Sequence, residues 1–259
     1  MRALKSFAYN LHFYVTISLW MIAASPLLLM PSRLLWSVFY AWGRFNVASL
    51  AIIAGTKLEV RGRENLPEGA ALIVAKHQSA FETVSLFHLF RRPTYILKRE
   101  LMRLPLLGWF ITKMDMIPID RKGGQKSLRA MVDKTRAVLD DGRHIIIFPE
   151  GTRRMPGAPA AYKHGVAHLY RELGVPVIPV ALNSGLFWPR KGFARHPGTI
   201  VIEFLSPIKP GLDSATFLQT LVSTIETHSD ALLVEGASSV PSPPLSSETA
   251  ARLAVLTQT

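Results

Sequence analysis

From about residue 57 onward, seven short apolar runs alternate with stretches of helical periodicity, and this rhythm restricts the fold more than any other feature of the chain. The runs fall at 57–61, 71–75 (ALIVA), 94–97 (TYIL), 116–119 (MIPI), 144–148 (HIIIF), 177–182 (VIPVAL) and 199–204 (TIVIEF). Continuous Val and Ile, in place of strict alternation, mark strands covered on both faces, hence a mostly parallel sheet. Helices predicted at roughly 80–91, 105–113, 124–141, 164–173 and 213–234 supply the cover. The fold class is therefore α/β, a mostly parallel sheet flanked by helices.

A different text precedes it. Tyr14 to Met30 is almost unbroken apolar sequence, and Leu34 to Ala54 is a second apolar stretch interrupted by Arg44. Only Pro31, Ser32 and Arg33 separate them, which predicts a membrane-associated helical hairpin. Arg2 and Lys5 also suit the basic start of a secretory signal, but Pro26 falls where a cleavage site needs small residues and a second apolar stretch follows at once. A central arginine costs roughly 2.5–3.5 kcal/mol in a spanning helix, so Arg44 favours shallow embedding in which its head snorkels to water. The organisation reads as a hairpin over 1–56, an α/β domain over 57–235, and a Ser/Pro/Ala-rich loose tail, expected to be disordered, over 236–259.

Charge narrows the partner. The 259 residues carry a net charge of +12 although 49% of them are hydrophobic, a pairing that suits an anionic lipid surface better than a nucleic acid. Two-thirds of that excess lies in residues 91–136, where twelve basic groups, Lys122 among them, face four acids. The absence of Cys removes disulfide scaffolds, zinc ribbons, iron–sulfur proteins and Cys-nucleophile enzymes. His144, His164 and His168 lack a metal-type spacing, and no nucleotide loop is present, so neither metal nor cofactor is expected.

Two blocks carry chemistry. After the run ALIVAK comes His77-Gln78-Ser79-Ala80-Phe81-Glu82, which puts an imidazole at a sheet edge with a carboxylate five residues on. A neutral His oriented by a carboxylate is a general base near neutral pH. After the run HIII comes Phe148-Pro149-Glu150-Gly151-Thr152-Arg153, where Gly151 permits close backbone approach, Thr152 offers a hydroxyl and Arg153 a planar fork for phosphate or carboxylate. Arg121, at the end of a third strand, adds a second guanidinium. Three strand ends thus offer a base beside an anion clamp.

These blocks resemble the glycerolipid acyltransferases of the 1-acylglycerol-3-phosphate acyltransferase type. Over residues 57–210 four elements match in order: the H-x4-D-like block His77 to Glu82, the block ending Pro118-Ile119-Asp120-Arg121, the block Phe148 to Arg153, and the strand Val175 to Val180. The resemblance implies His77 as the base that takes the acceptor's hydroxyl proton, with Glu82, where the family usually has Asp, orienting it. It also implies Arg121 and Arg153 on the acceptor's phosphate, in a pocket shaped by Glu150, Gly151 and Thr152. Lys98 is a further candidate for phosphate or the acyl carrier, Gly165 a weaker one for the acceptor pocket, and Trp109 with the 104–111 run a candidate lining for an acyl channel. Backbone N–H groups near 78–82 are candidate oxyanion donors.

The expected reaction is acyl transfer from acyl-carrier protein or acyl-CoA to a lysophosphatidate-like acceptor, on the cytoplasmic side of the cell inner membrane, where Arg2, Lys5, Lys57, Arg61 and Arg63 place the domain. Two other readings stay open: an O-acyltransferase for another lyso-lipid, such as lyso-ornithine lipid, or for glycerol 3-phosphate, and a non-enzymatic basic module docking on anionic membranes.

Overall fold

All four residues of β2 (Leu72–Ala75) are buried, as are all three of β5 (Ile145–Ile147) and all six of β6 (Val177–Leu182). These continuous apolar runs occupy the centre of a seven-stranded sheet in a computed structural model that describes residues 1–121 and 123–258. Lys122 of the basic cluster lies outside the described residues. With β1 (Thr56–Arg61), β3 (Thr94–Lys98), β4 (Ile117–Ile119) and β7 (Gly198–Phe204), the spatial order is β1-β7-β6-β2-β5-β3-β4. Every neighbouring pair is parallel except β6 with β7.

The faces of the sheet are dressed differently. Ile73 and Ala75 of β2 join one core with Phe81 and Leu86, while Leu72 and Val74 join a second core on the other face. On the first face lie α3 (Phe81–Leu89) and the hairpin helices α1 (Arg2–Ala24) and α2 (Ser32–Ala54), which contribute Tyr9, Leu50 and Ala54. On the second lie α5 (Gly124–Asp140), α6 (Gly165–Leu173) and the first half of α8 (Ser214–Ala237), which contribute Met131, Leu169 and Phe217. The short α4 (Leu107–Lys113) packs by the hairpin turn, and α7 (Ser184–Phe187) follows β6.

The hairpin lies along the domain instead of projecting from it. Near its start, the Tyr9 ring meets Trp188 edge-on at 5.4 Å. At its turn, Ala24, Leu27 and Leu28 pack with Phe110 and Met114. Near the start of α2, Trp36 stacks on Phe87 at 5.4 Å, and α2 ends on Gly55, whose φ of +78° provides the left-handed cap. The outward side of α1 keeps an apolar stripe with Leu4, Phe7, Leu11, Val15, Leu19 and Ile22 exposed, spaced three or four apart. Arg44 is exposed as well.

One expectation is corrected. The stretch read as a disordered tail contains α9 (Ser247–Leu256), capped by the Ser246 hydroxyl, which accepts from Thr249 N at 3.1 Å. Composition hides this because Ser and Pro fill the preceding link, whereas Ser246 followed by Glu248 and an apolar run is a helix start. Leu253 and Leu256 pack on the first core, Arg252 pairs with Asp230 of α8, and the Thr249 hydroxyl donates to Pro156 O at 2.8 Å.

Candidate active site

The chain leaves β2 at Ala75 and β5 at Ile147, and these neighbouring parallel strands run in register, so their following loops meet at one edge of the sheet. This is where open α/β sheets place ligands. His77 Nδ1 lies 2.8 Å from Glu82 Oε1. The same Oε1 accepts from Gln78 N at 2.7 Å and Ser79 N at 2.6 Å, and Oε2 accepts from the Ser184 hydroxyl at 2.7 Å. Glu82 and Ser184 are both 0% exposed. The two backbone N–H groups converge on Oε1, which is therefore an acceptor that carries no proton. With that oxygen accepting, His77 Nδ1 donates, and the Nε2 lone pair is left for the cavity that His77 lines. The Phe148 ring stacks on the imidazole at 4.1 Å, holding its plane.

Three of the backbone donors expected near 78–82 are engaged within the loop itself. Gln78 N and Ser79 N are committed to Glu82, and Phe81 N bonds the Ser79 hydroxyl at 3.1 Å. Gln78 N and Ser79 N thus hold the carboxylate that meets His77 instead of facing a substrate oxygen.

Glu150 stands behind His77, not in the pocket. Only 2% exposed, it accepts from His77 N at 2.8 Å through Oε2, while Oε1 lies 3.5 Å from Lys76 Nζ. Lys76 is 1% exposed and is clamped by both oxygens of Glu226 at 2.6 Å, one of which also accepts from the Tyr162 hydroxyl at 2.9 Å. Burial pushes the Glu150 carboxyl up to about 7, against the lowering pull of the Lys76 charge and the His77 N–H. A carboxyl raised in the folded state binds more protons than in the unfolded chain, so its contribution is complete below about 4.5 and falls away as pH rises to about 7. Urea unfolding at several pH values is expected to show stability declining over that window, and Glu150→Gln is expected to flatten the decline; an unchanged slope would contradict it.

His77 borders an opening that also carries positive charge. A cavity of about 580 Å³ is bordered by His77, Arg121, Arg153, Gly151 and Lys98. The backbone at Gly151 has φ +67°, which calls for glycine at this turn, and the Arg121 guanidinium lies within van der Waals reach of a Cβ placed there, at 3.6 Å. Lys98 is exposed at the rim and pairs with Glu100 at 3.3 Å. From this end the cavity continues between the domain and the hairpin over apolar side chains, including Phe13 and Ile17 of α1, Trp42 of α2 and Val84 of α3.

Three predicted residues fall elsewhere. Gly165 opens α6 with Leu128 as its near neighbour, away from the cavity lining, because the loop from Arg154 to Lys163 carries the chain off before the helix starts. Thr152 is exposed and does not line the cavity. Trp109 is 64% exposed; its neighbours Leu107, Phe110 and Ile111 line the cavity, since one helix face cannot present all of 104–111 inward. Sequence reasoning missed Lys76, whose signal was an ammonium ending a fully apolar strand, and Ser184, which lies 102 residues from Glu82 and leaves no local trace.

Residues 57–183 match the Acyltransferase family. Over 161 residues the chain is 38% identical to a 1-acyl-sn-glycerol-3-phosphate acyltransferase of Pseudomonas aeruginosa, covering 62% of this chain and 63% of that protein. A protein of the same name from Chlamydomonas reinhardtii is 30% identical over 220 residues, covering 81% of this chain and 64% of the relative. The chain thus spans a little under two thirds of the length of these two relatives. The crystal structure of the 1-acyl-sn-glycerophosphate acyltransferase PlsC from Thermotoga maritima shares the fold with a TM-score of 0.75 at 22% identity, over 90% of this chain and 98% of that one.

Proposed function

Since the chain belongs to the acyltransferase family through residues 57–183, we propose that it transfers a fatty acyl group from a thioester donor, acyl-carrier protein or acyl-CoA, to the free hydroxyl of 1-acylglycerol 3-phosphate, giving phosphatidate. The observation that carries this reading is one cavity with a carboxylate-held imidazole and two guanidinium groups at one end and an apolar interior at the other. A phosphate seated on Arg121 and Arg153 fixes the acceptor hydroxyl near His77, which supplies the orientation term of the rate. His77 Nε2 takes the hydroxyl proton as the oxygen attacks the thioester carbonyl. Collapse of the tetrahedral adduct breaks the C–S bond, and the departing sulfur takes the same proton from His77. Transfer is direct, so no Ser or Cys nucleophile is needed.

The donor's carrier is anionic in either form. An open groove of about 670 Å³ beside the cavity mouth, lined by Arg99, Arg103, Lys126 and Lys134, supports docking of such a carrier. The hairpin supports work at the bilayer surface. A 23-residue helix is about 35 Å long, and both ends of α1 rest on the domain, so a hairpin crossing the bilayer would draw the polar domain in with it. The exposed stripe of α1 suits burial in one leaflet, with the domain on the cytoplasmic side of the inner membrane.

Arg153→Ala tests the acceptor. With 1-acylglycerol 3-phosphate its KM is expected to rise about tenfold, the worth of a charge-assisted hydrogen bond at a partly hydrated site, while an acceptor without phosphate is little affected. Steady-state assays on both acceptors check this; equal loss on both would favour another lyso-lipid as the natural acceptor.

A further inference from the structure

The segment between α7 and β7 presents a phenylalanine to solvent on a loop that is held in place. Phe193 is 75% exposed, and Arg190 and Lys191 beside it are exposed too. The loop is latched to α1 from beneath. Asn10 Nδ2 donates to Phe193 O at 2.7 Å, Arg195 N donates to the Ser6 hydroxyl at 2.9 Å, and Arg195 Nη2 donates to Asn10 Oδ1 at 2.5 Å. The Arg195 guanidinium is itself sandwiched, 4.3 Å from the Trp188 ring centre. The basic start of α1 lies close by, since the charge of Arg2, after burial, helps to hold the His196 imidazole below its usual range. Single exposed apolar side chains are ordinary on protein surfaces. Here, however, the loop that carries the phenylalanine is bonded to α1 at Ser6 and Asn10, the residues next to Phe7 and Leu11 of the exposed stripe.

We infer that the 189–195 loop is a second bilayer contact, in which Phe193 enters the headgroup–acyl boundary and Arg190 and Lys191, with Arg2, meet anionic headgroups. An aromatic flanked by cations matches that boundary, apolar below and negatively charged above. An acidic protein would match the cations but leave unused the phenylalanine and the attachment of its loop to the helix that carries the stripe. The inference rests on the reading that this stripe faces lipid.

The chain has no Cys, so Phe193→Cys accepts an environment-sensitive fluorophore at that position alone. Gln219→Cys serves as control, being exposed on the half of α8 that covers the opposite face of the sheet. On adding vesicles of phosphatidylglycerol and phosphatidylcholine, the probe at 193 is expected to shift to the blue and to be quenched by lipids carrying a quencher on the acyl chain, with no change at 219. In unlabelled full-length protein, Arg190→Ser with Lys191→Ser is expected to weaken binding to the anionic vesicles about fivefold per cation removed and to leave binding to neutral vesicles unchanged. Co-sedimentation with a water-like probe at 193 would overturn the loop assignment alone. Absence of co-sedimentation would overturn the lipid-facing reading beneath it, and a response at 193 to acyl-carrier protein but not to vesicles would give the loop to the carrier instead.

Discussion

Replacing His77 with alanine is expected to lower acyl transfer by about 10²–10⁴-fold, the range that a positioned general base contributes. The geometry makes this variant informative, because the imidazole can be removed without orphaning its partner. Glu82 keeps three donors, Gln78 N, Ser79 N and the Ser184 hydroxyl, and His77 N still bonds Glu150. The sheet edge is therefore expected to survive, and vesicle binding, which the proposals give to the hairpin and the 189–195 loop, is expected to match the parent. Thiol release from the donor, measured with 1-acylglycerol 3-phosphate as acceptor, reads the loss. Full activity of the variant would end the assignment of His77 as base, whereas vesicle binding without turnover in the parent protein would favour the non-enzymatic membrane module.

Much of this architecture is legible in the sequence because burial on both faces of a parallel strand leaves an unbroken Val/Ile signature. Runs such as ALIVA and VIPVAL needed no tertiary information to be placed. The His77–Glu82 pair is legible for a similar reason: the two lie two and seven residues past the end of β2 at Ala75, so local spacing determines their meeting. Where the meeting is nonlocal, spacing says nothing. Ser184 reaches Glu82 only because β6 lies beside β2, and Glu226 reaches Lys76 only because α8 crosses behind the sheet edge. Glu150 illustrates the limit most clearly. Its block suggested a pocket residue, but the fold turns the carboxylate inward to the Lys76 ammonium and the His77 amide, and presents Gly151 and Arg153 to the cavity instead. Sequence order gave the right loop; the turn at Gly151 decides which of its side chains face substrate.

Glu82 provides the second large effect, and it separates charge from shape. Glutamine at position 82 keeps the length of the side chain. Its carbonyl can still accept from His77 Nδ1, Gln78 N and Ser79 N, and its amide can donate to the Ser184 hydroxyl, which accepts as readily as it donates. The tautomer and position of His77 are thereby retained. What disappears is the negative charge that stabilises the imidazolium formed when the acceptor's proton arrives, in a site where the carboxylate is 0% exposed and water does not screen it. That interaction exists only after proton transfer begins, so kcat is expected to fall by about 10²–10³-fold with little change in KM. Aspartate keeps the charge and loses one methylene. The loop at 78–79 already closes onto the carboxylate through two backbone amides, so a small shift of that loop can follow the shorter side chain, and a loss within about tenfold is expected. Steady-state kinetics of Glu82→Gln and Glu82→Asp, with thermal unfolding of each run in parallel, measure the difference. Equal kcat for the two variants at matched stability would show that the carboxylate's charge is not used, and that Glu82 serves only to fix the loop.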